Sequence, residues 1–422
     1  MRSKSRMLSV VAAAASVLVA VSGCTIPTQS SGSSTGATKT LRFWNYYGDA
    51  QLVWLKAQTK KFEADNPGVK VQLIQTVGSQ QDQKLLASVA TGTGPDLLIN
   101  NIVVDFPTLV GGGVMLDLTS RWDAYTDKSQ FPASAVWKNK GKVYNLMSYT
   151  NLLAMYYNKD ILASVGITAP PTTLEELEAD LAKVKAGGKY KGLAESAAPT
   201  VEGAWLFAPQ LLGKGIDYCN FTGAPVADAF NRIERWSKNG YIPIASATWD
   251  QTAAWQQFMT GKYAFGLNGN WQLGNAKTAQ FKYGTVEFPA PNGGKSVVYP
   301  GGEGIAIGAQ SKYPDLAWKY LQSVFLSNQG GQSVFTAAGS IPVRADVASI
   351  PEIKNDALVQ PFVIAAHSTG LWPINSKTAE MQTSLGKAVS AVISGQKSAA
   401  DGAQAAITDI TSAEKSGGGT CR

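Results

Sequence analysis

The stretch LRFWNYYGDAQLVWLKAQTKKFEADNPGVKVQLIQT, residues 41–76, contains one full repeat of the pattern that sets the fold. LRFWN reads as a strand. In AQLVWLKAQTKKFEAD, Leu52, Leu55, Gln58 or Thr59, and Phe62 fall at helical spacing. NPG breaks the helix and VKVQLIQT reads as a second strand. Working outward, QDQKLLASVATG is a helix, PDLLIN a third strand and VDFPTLVGGG a short interrupted helix. The alternation restarts after LAMYYNKDIL. There PPTTLEELEADLAKVKAGG carries Thr173 as N-cap, Glu176 completing a capping box, and Gly187 at the stop. Helical patterns follow at 226–239, 248–260, 314–326, 376–394 and 399–414, with strands at YAFGLNG, KYGTVEF and EGIAIG. Strands alternating with helices predict an α/β fold whose mostly parallel sheet is covered on both faces. Ligands on such sheets sit at the carboxyl ends of the strands.

The first residues have a separate logic. Arg2, Lys4 and Arg6 precede an apolar run from Met7 to Val21 that ends in Ser22 and Gly23, the layout of a secretory signal peptide at 1–23. The run is shorter than the roughly 20 apolar residues of a membrane span. VSGC resembles the lipobox of bacterial lipoproteins, and that resemblance implies a mature chain that begins at Cys24 on an acyl anchor. Residues 24–40, TIPTQSSGSSTGATKT after the cysteine, have no apolar period and are expected to be a flexible linker. Its reach is roughly 20–25 Å.

The 422 residues are enough for two domains with full cores. Losing Arg2, Lys4 and Arg6 with the leader lowers the formal charge from +7 to +4, and no Lys/Arg run or zinc-finger spacing occurs, which argues against nucleic acid as a partner. Besides Cys24, the chain has Cys219 and Cys421, whose spacing fits no metal site. They read either as a disulfide that ties down the C-terminus or as one buried and one frayed thiol.

Several segments, taken in order, resemble extracellular solute-binding proteins of ABC importers, in the sugar-binding group that includes maltose-binding protein. They are LRFWNYYGD, FEADNPGVKV, QKLLASVATGTGPDLL, GGGVMLDLTS, MYYNKDIL, PPTTLEEL, FMTGKYAFGLNGNW, PAPNGGK, GGEGIAIGAQSKYPDLAWKYL and GSIPVR. The resemblance implies a two-lobed periplasmic-binding-protein fold with the ligand cleft between lobes joined by crossing hinge segments. The crossings would fall near 148–152, 302–305 and 341–344. The N-terminal lobe would be 41–148 with 303–342, and the C-terminal lobe 149–302 with 343–422. Hinge closure around the ligand belongs to the class. The resemblance further implies capture of a mono- or oligosaccharide, delivery to membrane permease subunits, a lipid-anchored location outside the cytoplasmic membrane, a monomer, and no cofactor or metal. A receptor for another small solute on the same scaffold and a secreted glycan hydrolase are the alternatives.

A hydrolase leaves little trace. The single histidine, His367, reads as a helix residue, and no GxSxG, P-loop or HExxH occurs. His-based metal sites and Cys–His chemistry are excluded. A glycosidase needs two opposed carboxyls, which 30 acidic residues do not rule out, although Glu175, Glu176, Glu178 and Asp180 read as a helix surface.

Aromatic and amide residues say more. A sugar offers an apolar face for a ring and a rim of hydroxyls for fixed donors and acceptors. Trp54, Trp122, Trp236 and Trp318 fall on helical patterns and read as packing. Trp44, Asn45 and Tyr46 follow the first strand at its carboxyl end. Trp205, Asn268, Asn270, Trp271 and Trp372 read as loop or strand-end positions, and by the resemblance Trp271 in LNGNW stands where a ring stacks on sugar. Asn151 lies at the expected hinge, and Gln80, Gln81 and Asp82 precede the second helix where family members place polar contacts. Asn101 is counted with them. Glu303 in PGGEGIA is either an acceptor at the cleft or a loop carboxylate. Arg344 in IPVR either meets ligand or holds the hinge by an ion pair.

Overall fold

The computed structural model describes residues 38–373 and 375–418, apart from the side chains of residues 49, 78 and 79. The leader 1–23, most of the linker, Cys24 and Cys421 lie outside the described residues. In chain order the strands are β1 (Lys39–Asn45), β2 (Val69–Gln75), β3 (Leu97–Asn101), β4 (Val136–Asn139), β5 (Lys142–Leu146), β6 (Tyr149–Thr150), β7 (Leu153–Asn158), β8 (Lys191–Ala194), β9 (Tyr263–Gly269), β10 (Tyr283–Val286), β11 (Glu303–Ile307) and β12 (Ile341–Pro342). The first three helices are α1 (Asp49–Asp65), α2 (Gly78–Thr91) and α3 (Ile102–Gly111).

One lobe is built on a six-stranded sheet in the order β2-β1-β3-β11-β5-β4, and the other on a four-stranded sheet in the order β10-β7-β9-β8. Period-two alternation divides the first sheet between two cores. Leu41, Phe43, Leu97, Ile99, Ile305 and Ile307 enter one with Leu55 and Phe62 of α1. Leu98 and Ala306 enter the other with Leu85 of α2 and Phe106 of α3. Both faces are covered, which is why β3 and β11 read as nearly continuous apolar runs. The second sheet lies against a cluster that includes Met155, Tyr156, Phe265, Phe258 and Trp236. The helices Val201–Phe207, Ala224–Lys238, Thr378–Ile393 and Ala399–Ser416 share a further cluster around Phe230, Leu385 and Ile410.

The expectation of a mostly parallel sheet holds only for β1 with β2 and β3, and for β8 with β9. β11 runs antiparallel to β3 and β5, and β7 antiparallel to β9 and β10. The cause is topological. A strand that arrives from the other lobe enters its sheet at the cleft edge, where the parallel strands end, and must run away from it. Glu303, the first residue of β11, therefore stands opposite Asn101, the last of β3.

Local signals largely hold. Thr173 and Glu176 form the capping box on the helix Leu174–Ala186. β1 begins at Lys39, inside the stretch expected to be linker, because Lys39 and Thr40 pair with Val69 and Lys70. α2 begins at Gly78, so Gln80, Gln81 and Asp82 stand within its first turns and not ahead of it.

Three chain crossings lie side by side. β6 pairs with β12, Tyr149 opposite Pro342 and Thr150 opposite Ile341. Next to them Asn151 bridges Gly301 through both backbone bonds, at 3.0 and 2.7 Å. Among the described residues, no helix is long and apolar enough to cross a membrane.

Candidate functional site

A cavity of about 510 Å³ opens beside these crossings. Its two walls come from different lobes and differ in chemistry.

The wall on the six-stranded side carries Tyr46, Gln51, Asp82, Asn101, Asp105 and Glu303. β3 delivers Asn101, whose Oδ1 accepts from the backbone N–H groups of Val103 and Val104 and caps α3. That helix then presents Asp105, whose Oδ2 accepts from the Asn101 backbone N–H at 2.9 Å. Asp105 also stands against Asp82 of α2, close enough for the two carboxyls to interact. Burial, then the Asp82 charge, holds Asp105 well above the usual carboxylate range, and burial raises Asp82. Glu303 accepts from the Tyr149 hydroxyl at 2.6 Å and from Asn151 Nδ2 at 3.4 Å. The Tyr149 hydroxyl in turn lies 2.5 Å from that of Tyr47. Burial raises Glu303 as well. Tyr46 is held well above its ordinary value by burial and then by Glu303 and Asp105.

The opposite wall is aromatic. Trp205 rides on the helix Val201–Phe207, and Trp271 in the turn that leaves β9. Their rings stack with centroids 5.4 Å apart and planes 15° apart. Both need a glycine beneath them. A Cβ on Gly301 would lie 2.7 Å from Trp205 Cζ2, and one on Gly269 would enter the Trp271 ring. Trp372 stacks on Tyr299 at 3.9 Å, and its Nε1 donates to the Pro300 carbonyl at 2.6 Å. Glu202, Gln251 and Gln382 supply this wall's polar groups. Burial raises Glu202.

Of the residues singled out in the sequence, the cavity brings together Tyr46, Asp82, Asn101, Asn151, Trp205, Trp271, Glu303 and Trp372. The others stand elsewhere. Trp44 packs against the cluster of Leu98 and Phe106. Asn45 is fully buried at the end of β1, where its carbonyl accepts from the Thr76 backbone. Gln80 is exposed, while Gln81 donates to the Ile99 carbonyl and accepts from Thr76. Asn268 donates to the Gln251 carbonyl, and Asn270 joins Leu152 N–H to the Gly339 carbonyl, so both hold backbone to backbone. Arg344 is buried and pairs with Asp127 and Asp346, each at 2.8 Å, just past β12. Gln81, Asn268 and Asn270 share a physical reason: an amide near a strand end or helix start is drawn inward where unpaired backbone lies within its reach. Cys219 is disulfide-bonded, while Cys421 lies outside the described residues.

Gln51, Asp105, Glu202 and Gln251 line the cavity without having been singled out. Each stands in the first turn of a helix. The signal was the start of a helix after a cleft-facing strand or loop, where side chains near the helix N-terminus face the strand ends.

A sequence model of the bacterial extracellular solute-binding proteins matches residues 57–361. The chain is 25% identical over 379 residues to the maltodextrin-binding protein MdxE of Bacillus subtilis (strain 168), covering 85% of this chain and 86% of that protein. It is 25% identical over an alignment of 424 residues to the maltooligosaccharide ABC transporter solute-binding lipoprotein of Streptococcus pneumoniae (strain ATCC BAA-255 / R6), with 96% and 95% covered. The solved structure of maltose-bound T. maritima MalE3 has the same fold, with a TM-score of 0.79 at 20% identity over 88% of this chain and 99% of that one.

Proposed function

Because the chain belongs to the bacterial extracellular solute-binding proteins, we propose that its cleft captures a carbohydrate and holds it for the permease of an ABC transporter. One observation carries the reading: a cavity of about 510 Å³ with Trp205, Trp271 and Trp372 on one side and a wall of carboxylates and amides on the other. Rings take the apolar face of a sugar, and the polar wall takes its hydroxyls. Relatives named for maltodextrin and maltooligosaccharide support the same ligand class.

Capture works by closure. The lobes, taken as 41–148 with 303–342 and 149–302 with 343–422, turn about the three crossings, and a ligand that touches both walls favours the closed state by its differential affinity. The chain acts as a monomeric receptor and not as a hydrolase. Cys24 carries the acyl anchor, which leaves Cys421 as the partner of Cys219. More than one acyl chain gives stable anchoring.

Isothermal titration of the purified protein with maltose, maltotriose and non-sugar solutes tests the ligand class. Saturable sugar binding, with the sugar recovered intact, supports a receptor. Cleavage of the sugar would indicate a hydrolase, and binding of a non-sugar alone would move the reading to another solute on the same scaffold. Cys24→Ala is expected to abolish lipid label, and persistent label would place the anchor elsewhere.

A further inference from the structure

Asp82, Asp105 and Glu303 from one lobe and Glu202 from the other line a single cavity. Among the described residues, no Lys, Arg or His lines it. None of the four carboxylates takes part in an ion pair, although ten such pairs occur elsewhere among the described residues. Asp105 is buried, and a charge withdrawn from water is ordinarily paired, because desolvation without a partner is costly. The helix starts beside Asp105 and Glu202 each offer at most about half a positive charge. Asp82 and Asp105 stand close enough to repel each other as like charges, which a cation placed between them would relieve. Acceptors are also in excess. Asn151 is 7% exposed and lines the cavity, yet its Oδ1 has no hydrogen-bond partner, and neither has Asp82 Oδ1. A neutral sugar can satisfy such acceptors through its hydroxyls, but it leaves the charge imbalance untouched.

We propose that the ligand is a sugar bearing a basic amine, an aminosugar or amine-containing oligosaccharide, whose ammonium group is received by these carboxylates while its rings lie on the tryptophans. The inference rests on the carbohydrate reading and names the chemical class within it. An ammonium group donates to the unpartnered acceptors, balances the carboxylates and is attracted by the faces of Trp205, Trp271 and Trp372.

Titration calorimetry with two matched pairs tests it: maltose against 6-amino-6-deoxymaltose, and cellobiose against the fully deacetylated glucosamine disaccharide, in neutral buffer. The amine member of at least one pair is expected to bind roughly ten- to a hundredfold tighter, the scale of a hydrogen bond to a charged partner. Asp82→Asn combined with Asp105→Asn is expected to bring that ratio close to one, with thermal melts to verify folding. Glu202→Gln on the opposite wall is the second variant, expected to narrow the ratio should the double variant not fold. Equal or weaker binding of the amine members overturns this inference and leaves the carbohydrate reading standing. A ratio that survives in the folded variants overturns the carboxylate assignment. Binding of spermidine with no binding of any of the four sugars defeats the carbohydrate reading, and this inference with it.

Discussion

The two walls of the cleft are built on opposite plans. The aromatic wall is anchored by packing: Trp205 and Trp271 are partly buried against the core of the four-stranded lobe, and Trp372 touches clusters of both lobes. The carboxylate wall is anchored by hydrogen bonds, with Asp105 tied to the Asn101 backbone and Glu303 to Tyr149 in the crossing ribbon. On the proposed reading, the first plan would supply affinity that depends little on the state of the hinge, and the second would link ligand contact to the crossing segments.

The strongest way to break this contrast is Trp271→Ala. Loss of a large ring at a binding hot spot costs about 2–4 kcal/mol, a weakening of roughly 30- to 1000-fold by calorimetric titration. An unchanged affinity would remove Trp271 from the site and reduce its stacking on Trp205 to packing alone.

A carboxylate away from the cleft sharpens the comparison. Glu195 is buried, does not line the cavity, and is pushed by burial from 4.5 up to about 8. Its folded form holds the proton more tightly than the unfolded chain does. Its burden on stability is therefore absent below the unfolded value and grows as pH rises toward 8. Glu195→Gln is expected to stabilise by about 2–4 kcal/mol at pH 8 and hardly at all at pH 4, with ligand affinity unchanged. Urea melts across pH decide it, and a pH-independent gain would show that the charge is not the cause.

Gly301→Ala tests the seat of the aromatic wall. The added methyl would press on Trp205, and about a tenfold loss of affinity is expected as that ring shifts, equivalent to about 1.4 kcal/mol. Full affinity would mean that the ring moves freely.

Tyr149→Phe addresses the other wall. It removes the hydroxyl between Glu303 and Tyr47, at about 1 kcal/mol in stability and roughly a fivefold loss of affinity. Lost stability with unchanged affinity would detach the ribbon from the ligand.

The sequence made the elements and their order legible because apolar periodicity and caps are local. The helix at 50–65, the box at Thr173 and Glu176, and the strand YAFGLNG all lie where their periods put them. The direction of β7 and β11 was not legible, since it depends on which lobe the chain returns from. The site was half legible. Trp271 and Glu303 follow from strand ends, which the pattern locates. Asn45, Gln81, Asn268 and Asn270 stand at similar strand ends or helix starts, yet none lines the cavity. Asn270, for one, is drawn inward by a backbone group from a distant segment, the Gly339 carbonyl. Asp105 and Glu202 look in sequence like ordinary acids at helix starts, and only the meeting of two lobes gives them a common cavity.

The position of β11 also bears on when the molecule can fold. Hydrogen-bonded between β3 and β5, it reaches the first sheet only after the chain has made the whole of the second sheet. While a ribosome is still making residues before 303, the first lobe has a gap at the centre of its sheet and two strand edges without partners. Closing that gap requires contacts between residues about 150 or more positions apart, which raises the contact order and slows folding. The lobes therefore cannot mature one after the other as independent domains. In a chain read as carrying an export leader, the first sheet would stay incomplete until the last third of the chain joins the first.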